Sequence, residues 1–428
     1  MSSEIRIRES AVNGEIMVPG SKSHTIRALV IAGLAGGVSE IRRPLISGDT
    51  ASCITALEAL GVSFERGEGA IPFLRVTGCG GQLKKYEKTI DVGNSGTTLR
   101  ILTAVAALSG YTTRFDGDES IRKRPMQSLL SAIHELGAGV KSNSGHAPLS
   151  VSGPLRGGKT MTDGITSQFL TALLLACPLA EKDSVIEVFD LHEKPYIEMT
   201  LKWLNDQKIV YARKGYSQFQ IKGGQRYFPF TAIIPGDFST ATFPLVAAAV
   251  TGGKIVIKGL DMNDSQGDKM VFKILNQMGA AVTDRPDGIS VAGGHLEGGE
   301  FDLDDIPDSL PALAVAGCAA EGETRLINVE QARLKESDRI MAMCTELRKM
   351  GADIRELDHG ITIRTSELKG AYVNGHGDHR IVMALSIAGM IASGETVIAN
   401  GAETVKITYP AFVEDFRNLG ADICTIER

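Results

Sequence analysis

Along this chain a short polar turn opens six times straight into an Ala/Leu/Val-rich apolar run. The turns are Gly20-Ser21-Lys22-Ser23, Gly93-Asn94-Ser95-Gly96, Gly164-Ile165-Thr166-Ser167, Gly236-Asp237-Phe238-Ser239, Ile306-Pro307-Asp308-Ser309 and Gly377-Asp378-His379-Arg380. They recur roughly every 71 residues and fill the chain, the signature of one structural unit used repeatedly. Ser, Thr, Asn and Asp at such positions are helix N-caps. A helix N-terminus carries about half a positive charge and unsatisfied N–H groups. Six such ends, several with Lys or Arg in the first turn, suit an anionic ligand.

Between the apolar runs the pattern changes to short alternating or β-branched segments, which predict strands: Ile5–Ile7, Phe73–Val76, Val185–Val188, Lys254–Ile257 and Ile361–Ile363. A second, more polar helix is expected in most units, at Thr50–Leu60, Met126–Leu136, Ile197–Asp206, Lys269–Met278 and Arg339–Met350. The fold class is therefore α/β (α+β), with six units grouped as two lobes of three. The two Pro-Gly turns, Val18-Pro19-Gly20 and Ile234-Pro235-Gly236, lie three units apart and mark the expected crossings. A lobe of residues 21–235 would then be inserted into one made of 1–20 plus 236–428.

Composition excludes several classes. A net charge of −6 argues against a nucleic-acid partner, so any anion site must be a local concentration of Lys and Arg. The six Cys lie far apart with no C-x-x-C, as expected of reduced cytoplasmic thiols rather than a disulfide frame or zinc site. No H-E-x-x-H occurs, and no metal site is expected. The first residues lack the apolar core of a signal peptide. Apolar runs such as Ile381–Ala392 fall short of the roughly 20 residues that span a bilayer, so they are expected to be buried helices and no membrane partner is expected. Gly153-Pro154-Leu155-Arg156-Gly157-Gly158-Lys159-Thr160 matches the phosphate-loop pattern letter for letter. That motif needs a helix starting at its Lys. Here Met161-Thr162-Asp163-Gly164 intervenes, so a strand-end turn is expected instead.

The remaining polar turns carry the candidate site. Lys22, Ser23 and Arg27 surround the start of a helix too apolar for the surface, so its first turn must border a cleft. Asn94 and Gly96 make a donor-rich turn that a ligand can approach closely, whereas Arg100 reads as structural. Arg122-Lys123-Arg124 concentrates three cations. Thr166-Ser167-Gln168 is a hydrogen-bonding cap. Asp308 is a carboxylate among cationic turns, as a general base would be. Lys335-Glu336-Ser337-Asp338-Arg339 is the densest charged cluster, and Arg380 follows His379 at another apolar helix start; His379 is not read as catalytic.

Taken together, the stretches PGSKSHTIRAL, GNSGTTLR, GDESIRKRP, TSQFLTALL, KPYIEMTL, GDFSTATF, IPDSLP, RLKESDR and GDHRIVMA resemble, in order and across the chain, the 3-phosphoshikimate 1-carboxyvinyltransferases, or 5-enolpyruvylshikimate-3-phosphate (EPSP) synthases. Each stretch alone is modest; the ordered set is specific. The resemblance implies two lobes of three pseudo-repeated βαβαββ units, an inside-out α/β barrel-like arrangement with buried helices and the active site in the cleft between lobes. It implies transfer of the enolpyruvyl group of phosphoenolpyruvate to the 5-hydroxyl of shikimate 3-phosphate, with loss of phosphate, by a cytoplasmic monomer without a metal or organic cofactor.

Carried over by motif, Lys22, Ser23 and Arg27 would hold shikimate 3-phosphate, Lys22 also reaching phosphoenolpyruvate. Asn94, Gly96 and Arg124 would serve phosphoenolpyruvate. Thr166, Ser167, Gln168, Tyr196 and Lys335 would contact the shikimate moiety and its phosphate. Asp308 would take the hydroxyl proton, Glu336 would move the methylene proton, and Arg339 and Arg380 would clamp a carboxylate. Departures also appear. Thr166 stands where many members have Ser, Glu193 where a Ser often touches shikimate, Gln331 where Asn is frequent, and Lys406-Ile407 shifts a Lys by one position. The sister enzymes that use UDP-N-acetylglucosamine usually carry a reactive Cys in the loop matching Arg122–Arg124, which this chain lacks. Gly96 implies sensitivity to glyphosate, since resistant members often carry Ala there.

Overall fold

The computed structural model describes residues 3–67 and 71–427. Among them, thirteen α-helices run in order: α1 (Lys22–Leu34), α2 (Gly48–Ala59), α3 (Gly96–Ala106), α4 (Glu119–Lys123), α5 (Gln127–Glu135), α6 (Ser167–Ala176), α7 (Lys194–Asp206), α8 (Phe238–Thr251), α9 (Met270–Gln277), α10 (Leu310–Ala319), α11 (Arg339–Lys349), α12 (His379–Met390) and α13 (Phe412–Asn418). α1, α3, α6, α8, α10 and α12 are buried along almost their whole length. Five of these six are opened by a polar side chain that accepts a backbone N–H: Ser21 from His24, Ser95 from Thr98, Thr166 from Gln168, Asp237 from Thr240 and Asp378 from Arg380. α10 is the exception. A 3-10 turn, Pro307–Ser309, leads into it, and Asp308 lies inside that turn without capping the helix.

The polar helices start where local chemistry sets them. α2 begins two residues earlier than its apolar pattern suggests, because the Ser47 N–H donates to Thr50 Oγ1 at 2.9 Å. α7 begins at Lys194 because Pro195 is preorganised for a first helical turn. No helix starts at Lys159. Gly158–Asp163 is a strand and α6 begins only at Ser167, so the phosphate-loop pattern is a coincidence of letters.

The strands form six four-stranded sheets among the described residues, each with one parallel and two antiparallel pairings. The chain divides into two compact units, one of residues Gly20–Ile234 and one of the segments up to Pro19 and from Pro235 onward. Each has its own hydrophobic core. In the first, the last strand, Thr231–Ile233, returns to pair with Gly36–Arg42. In the second, Ser3–Arg8 pairs with both Glu395–Ala399 and Asp422–Glu427, and Asn13–Met17 pairs with Lys254–Lys258.

The six cysteines are free, and burial pushes the Cys53 and Cys177 thiols up to about 12, so neither is a nucleophile at neutral pH. No helix among the described residues is long and apolar enough to cross a membrane.

Helices apolar on every side are sensitive to lost volume all round. Leu313 in α10 is 0 % exposed, so Leu313→Ala is expected to lower stability by about 2–5 kcal/mol in urea titration. Met341, on the exposed side of α11, is the control: Met341→Ala should change it by no more than about 0.5 kcal/mol.

Candidate active site

In the unit of Gly20–Ile234, three of the polar turns carry candidate residues that are already engaged with neighbours. Lys22 Nζ lies 3.0 Å from Asp49 Oδ2, in the first turn of α2, and both side chains are largely buried. Ser23 is half-buried beside it, and its carbonyl accepts from Arg27 at 3.0 Å. Arg27 is buried and also donates to Thr200, Thr171 and the Tyr196 carbonyl. Burial pulls its guanidinium down to about 10, still charged at neutral pH. Arg27 thereby fixes the start of α7, and with it Tyr196, against α1.

Asn94 and Arg124 are brought together. Arg124 donates to Asn94 Oδ1 at 2.9 Å, while Asn94 Nδ2 donates to Asp118 at 2.6 Å. Arg124, although in the cationic stretch, is only 6 % exposed. Gly96 sits directly against it: a Cβ there would lie 2.5 Å from Arg124 Nη1. Arg100, expected to be structural, is engaged within the fold. It donates to Gln168 Oε1 at 2.6 Å and covers the Phe169 ring. Thr166 caps α6, and Ser167 gives both its N–H and its hydroxyl to Glu193 Oε2, at 3.1 and 2.7 Å.

In the other unit, Asp308, Glu336, Arg339 and Arg380 converge on one cluster. Arg339 is 1 % exposed. Its Nη1 donates to Asp308 at 2.6 Å, its Nη2 to Glu336 at 2.6 Å, and its Nε to Asp378 at 2.8 Å. Arg380 Nη2 reaches the other Asp308 oxygen at 2.9 Å. Burial alone would lower the Arg339 pKa; Asp378, then Glu336 and Asp308, outweigh it and hold the guanidinium above its ordinary value. Burial likewise pushes Asp378 up, but the Arg339 charge wins and keeps it below the usual carboxylate range. Lys335 is half-buried immediately before Glu336. Ser337 adds a hydrogen bond to Asp378 at 3.1 Å.

Three participants escape a reading of the sequence. Asp49 and Asp378 look like ordinary helix-start residues, and only the fold sets them against Lys22 and Arg339. Asp268, in the 3-10 turn Gly267–Lys269, accepts the Ser309 hydroxyl at 3.0 Å. Burial first, and the Asp308 charge second, push its carboxyl up to about 7. The only hint was its place in Gly267-Asp268, a Gly-Asp pair like those of the capping turns. Among the described residues, no three His, Cys, Asp or Glu side chains are grouped to hold a metal ion. The carboxylates converge on arginine instead.

This arrangement can bind anions and move protons: paired guanidinium groups for a carboxylate, a second set of cationic turns for phosphates, and two carboxylates on one cation. Known proteins match it along the whole chain. The sequence profile of the EPSP synthase (3-phosphoshikimate 1-carboxyvinyltransferase) family matches residues 7–416. A 3-phosphoshikimate 1-carboxyvinyltransferase of Acetivibrio thermocellus is 51% identical over 425 residues, 99% of this chain and 100% of the relative. One from Methanosarcina acetivorans is 43% identical, covering 98% of each chain. The solved EPSP synthase of Acinetobacter baumannii superimposes with a TM-score of 0.83 at 28% identity, covering 100% of both chains. By these matches the chain belongs to the EPSP synthase (3-phosphoshikimate 1-carboxyvinyltransferase) family.

Proposed function

We propose a residue-level account of the family reaction, in which phosphoenolpyruvate gives its enolpyruvyl group to the 5-hydroxyl of shikimate 3-phosphate and phosphate leaves. The observation that carries it is the Arg339–Arg380 pair, which holds Asp308 with Glu336 on the same guanidinium. Such a pair suits the planar carboxylate of phosphoenolpyruvate. An incoming carboxylate competes for the donors that now hold Asp308, so substrate binding releases the base when it is needed. Asp308 then takes the 5-hydroxyl proton as that oxygen bonds to C2 of phosphoenolpyruvate. Glu336 supplies a proton to the methylene carbon, giving a tetrahedral adduct. Elimination returns a proton from the new methyl group to Glu336 and breaks the C2–O bond to phosphate, which leaves with the proton that Asp308 took, so both carboxyl groups return to their starting states. Lys22 and Arg124 stabilise the charge that grows on the leaving phosphate.

Ser23, Arg27, Thr166, Ser167, Gln168, Tyr196 and Lys335 hold shikimate 3-phosphate, and Asn94 and Gly96 hold phosphoenolpyruvate. The pattern of six similar sheets and six buried helices supports three repeated units in each half. We place the enzyme in the cytoplasm as a monomer needing no metal or organic cofactor.

Phosphate release tests the reading directly: it should require phosphoenolpyruvate and shikimate 3-phosphate together, with no turnover on UDP-N-acetylglucosamine. Asp308→Asn is expected to cut kcat by about 100-fold or more while shikimate 3-phosphate still binds in calorimetry. Near-normal turnover would remove Asp308 from the base role. Gly96→Ala places a methyl 2.5 Å from Arg124 Nη1, so it should raise the KM for phosphoenolpyruvate. It should raise the inhibition constant of the longer glyphosate by a larger factor, since a steric clash discriminates by length. Equal losses for both ligands would overturn the length argument.

A further inference from the structure

The turn that opens α6 already carries an anion of its own. Glu193, 1 % exposed, accepts both the N–H and the hydroxyl of Ser167 through a single oxygen. The loop that delivers it is pressed onto the turn. Gly164 N–H donates to the Phe189 carbonyl at 2.9 Å, and His192 N–H to the Gly164 carbonyl at 3.1 Å. A Cβ on Gly164 would lie 2.3 Å from Leu191 Cα, so only glycine lets the loop approach this closely. Asp190 and Glu193 both take left-handed backbone, with φ of 53° and 55°. That conformation is uncommon in non-glycine residues and is kept only where the surroundings impose it. The Gln168 amide oxygen is meanwhile held by Arg100 at 2.6 Å.

A substrate phosphate and the Glu193 carboxylate are both acceptors and both negative. One pair of Ser167 donors cannot serve both without setting like charges at hydrogen-bond distance. We propose that Glu193 is a specificity-determining residue, an internal carboxylate that stands in for the substrate phosphate at α6 and is displaced when shikimate 3-phosphate binds. This rests on the reading that Thr166-Ser167-Gln168 receives that phosphate. Glu193 therefore weakens the binding of the phosphorylated ligand and leaves its unphosphorylated counterpart untouched. Removing the negative charge while keeping the shape relieves the repulsion and loosens the hold on the Ser167 donors, since a neutral amide oxygen is a weaker acceptor than a carboxylate.

The test uses the full-length enzyme with Glu193→Gln, Glu193→Ser and Ser167→Ala, and titrates shikimate 3-phosphate and shikimate by calorimetry. Glu193→Gln keeps the side-chain volume and an acceptor for Ser167, so it guards against a variant that merely misfolds. Both Glu193 variants should bind shikimate 3-phosphate about tenfold more tightly, as expected when a like charge is removed from a contact. Shikimate affinity and the KM for phosphoenolpyruvate should stay within about twofold of the parent, and Ser167→Ala should weaken shikimate 3-phosphate. A purely structural Glu193 would instead weaken both ligands together and lower the melting temperature, which overturns the proposal. If Ser167→Ala weakens the phosphorylated ligand but Glu193→Gln does not tighten it, the role of Glu193 is overturned and the phosphate reading stands. If Ser167→Ala changes nothing, the phosphate reading falls and the Glu193 proposal falls with it.

Discussion

One buried guanidinium organises the unit that carries α10, α11 and α12. Arg339 joins carboxylates from three segments: the turn before α10, the strip leading into α11, and the cap of α12. A charge at 1 % exposure is tolerable only when its hydrogen bonds and counter-charges are complete. Satisfying that demand fixes the starts of three helices against one another, which places Asp308, Glu336 and Arg380. The same demand makes the cluster responsive. Four acidic groups, Asp308, Glu336, Asp378 and Asp268, crowd around two arginines, so a further carboxylate would compete with them for the same donors.

The other half follows the same rule with different chemistry. Lys22 is held by Asp49, Arg124 by Asn94, and Ser167 by Glu193. The donors proposed for anions are kept in place by acceptors supplied by the chain itself. Such contacts order the donor side chains in advance, and each internal partner would compete with a ligand bound there.

Much of this was legible in the sequence because it is written locally. Strands such as Ser3–Arg8 and Lys254–Lys258 follow from alternation, and five helix starts from a capping residue beside an apolar run. The phosphate-loop pattern could be dismissed because helix placement is also local. What stayed hidden depends on residues far apart in the chain. Asp308 resembles its capping counterparts, but Pro307 puts it in a 3-10 turn, where its carboxylate is free to reach Arg339 and Arg380. Asp49, Asp268 and Asp378 gain their meaning from partners between 27 and 41 positions away. Glu193 was visible as a departure, but its contact with Ser167 requires a left-handed turn that no periodicity announces. The five-residue α4 and seven-residue α13 are too short for periodicity to register.

The pairing of Ser3–Arg8 with Glu395–Ala399 and Asp422–Glu427 bears on how the molecule is made. A ribosome releases the chain from its N-terminal side, so Ser3–Arg8 emerges well before either of its neighbours. Residues Gly20–Ile234 hold every strand of their own three sheets, and can close a core while translation continues. Ser3–Arg8 cannot complete its native pairing until Asp422–Glu427 has been made. Its alternation of Ile5 and Ile7 with Arg6 and Arg8 suits that interval, because charge on every second residue discourages pairing with other nascent chains.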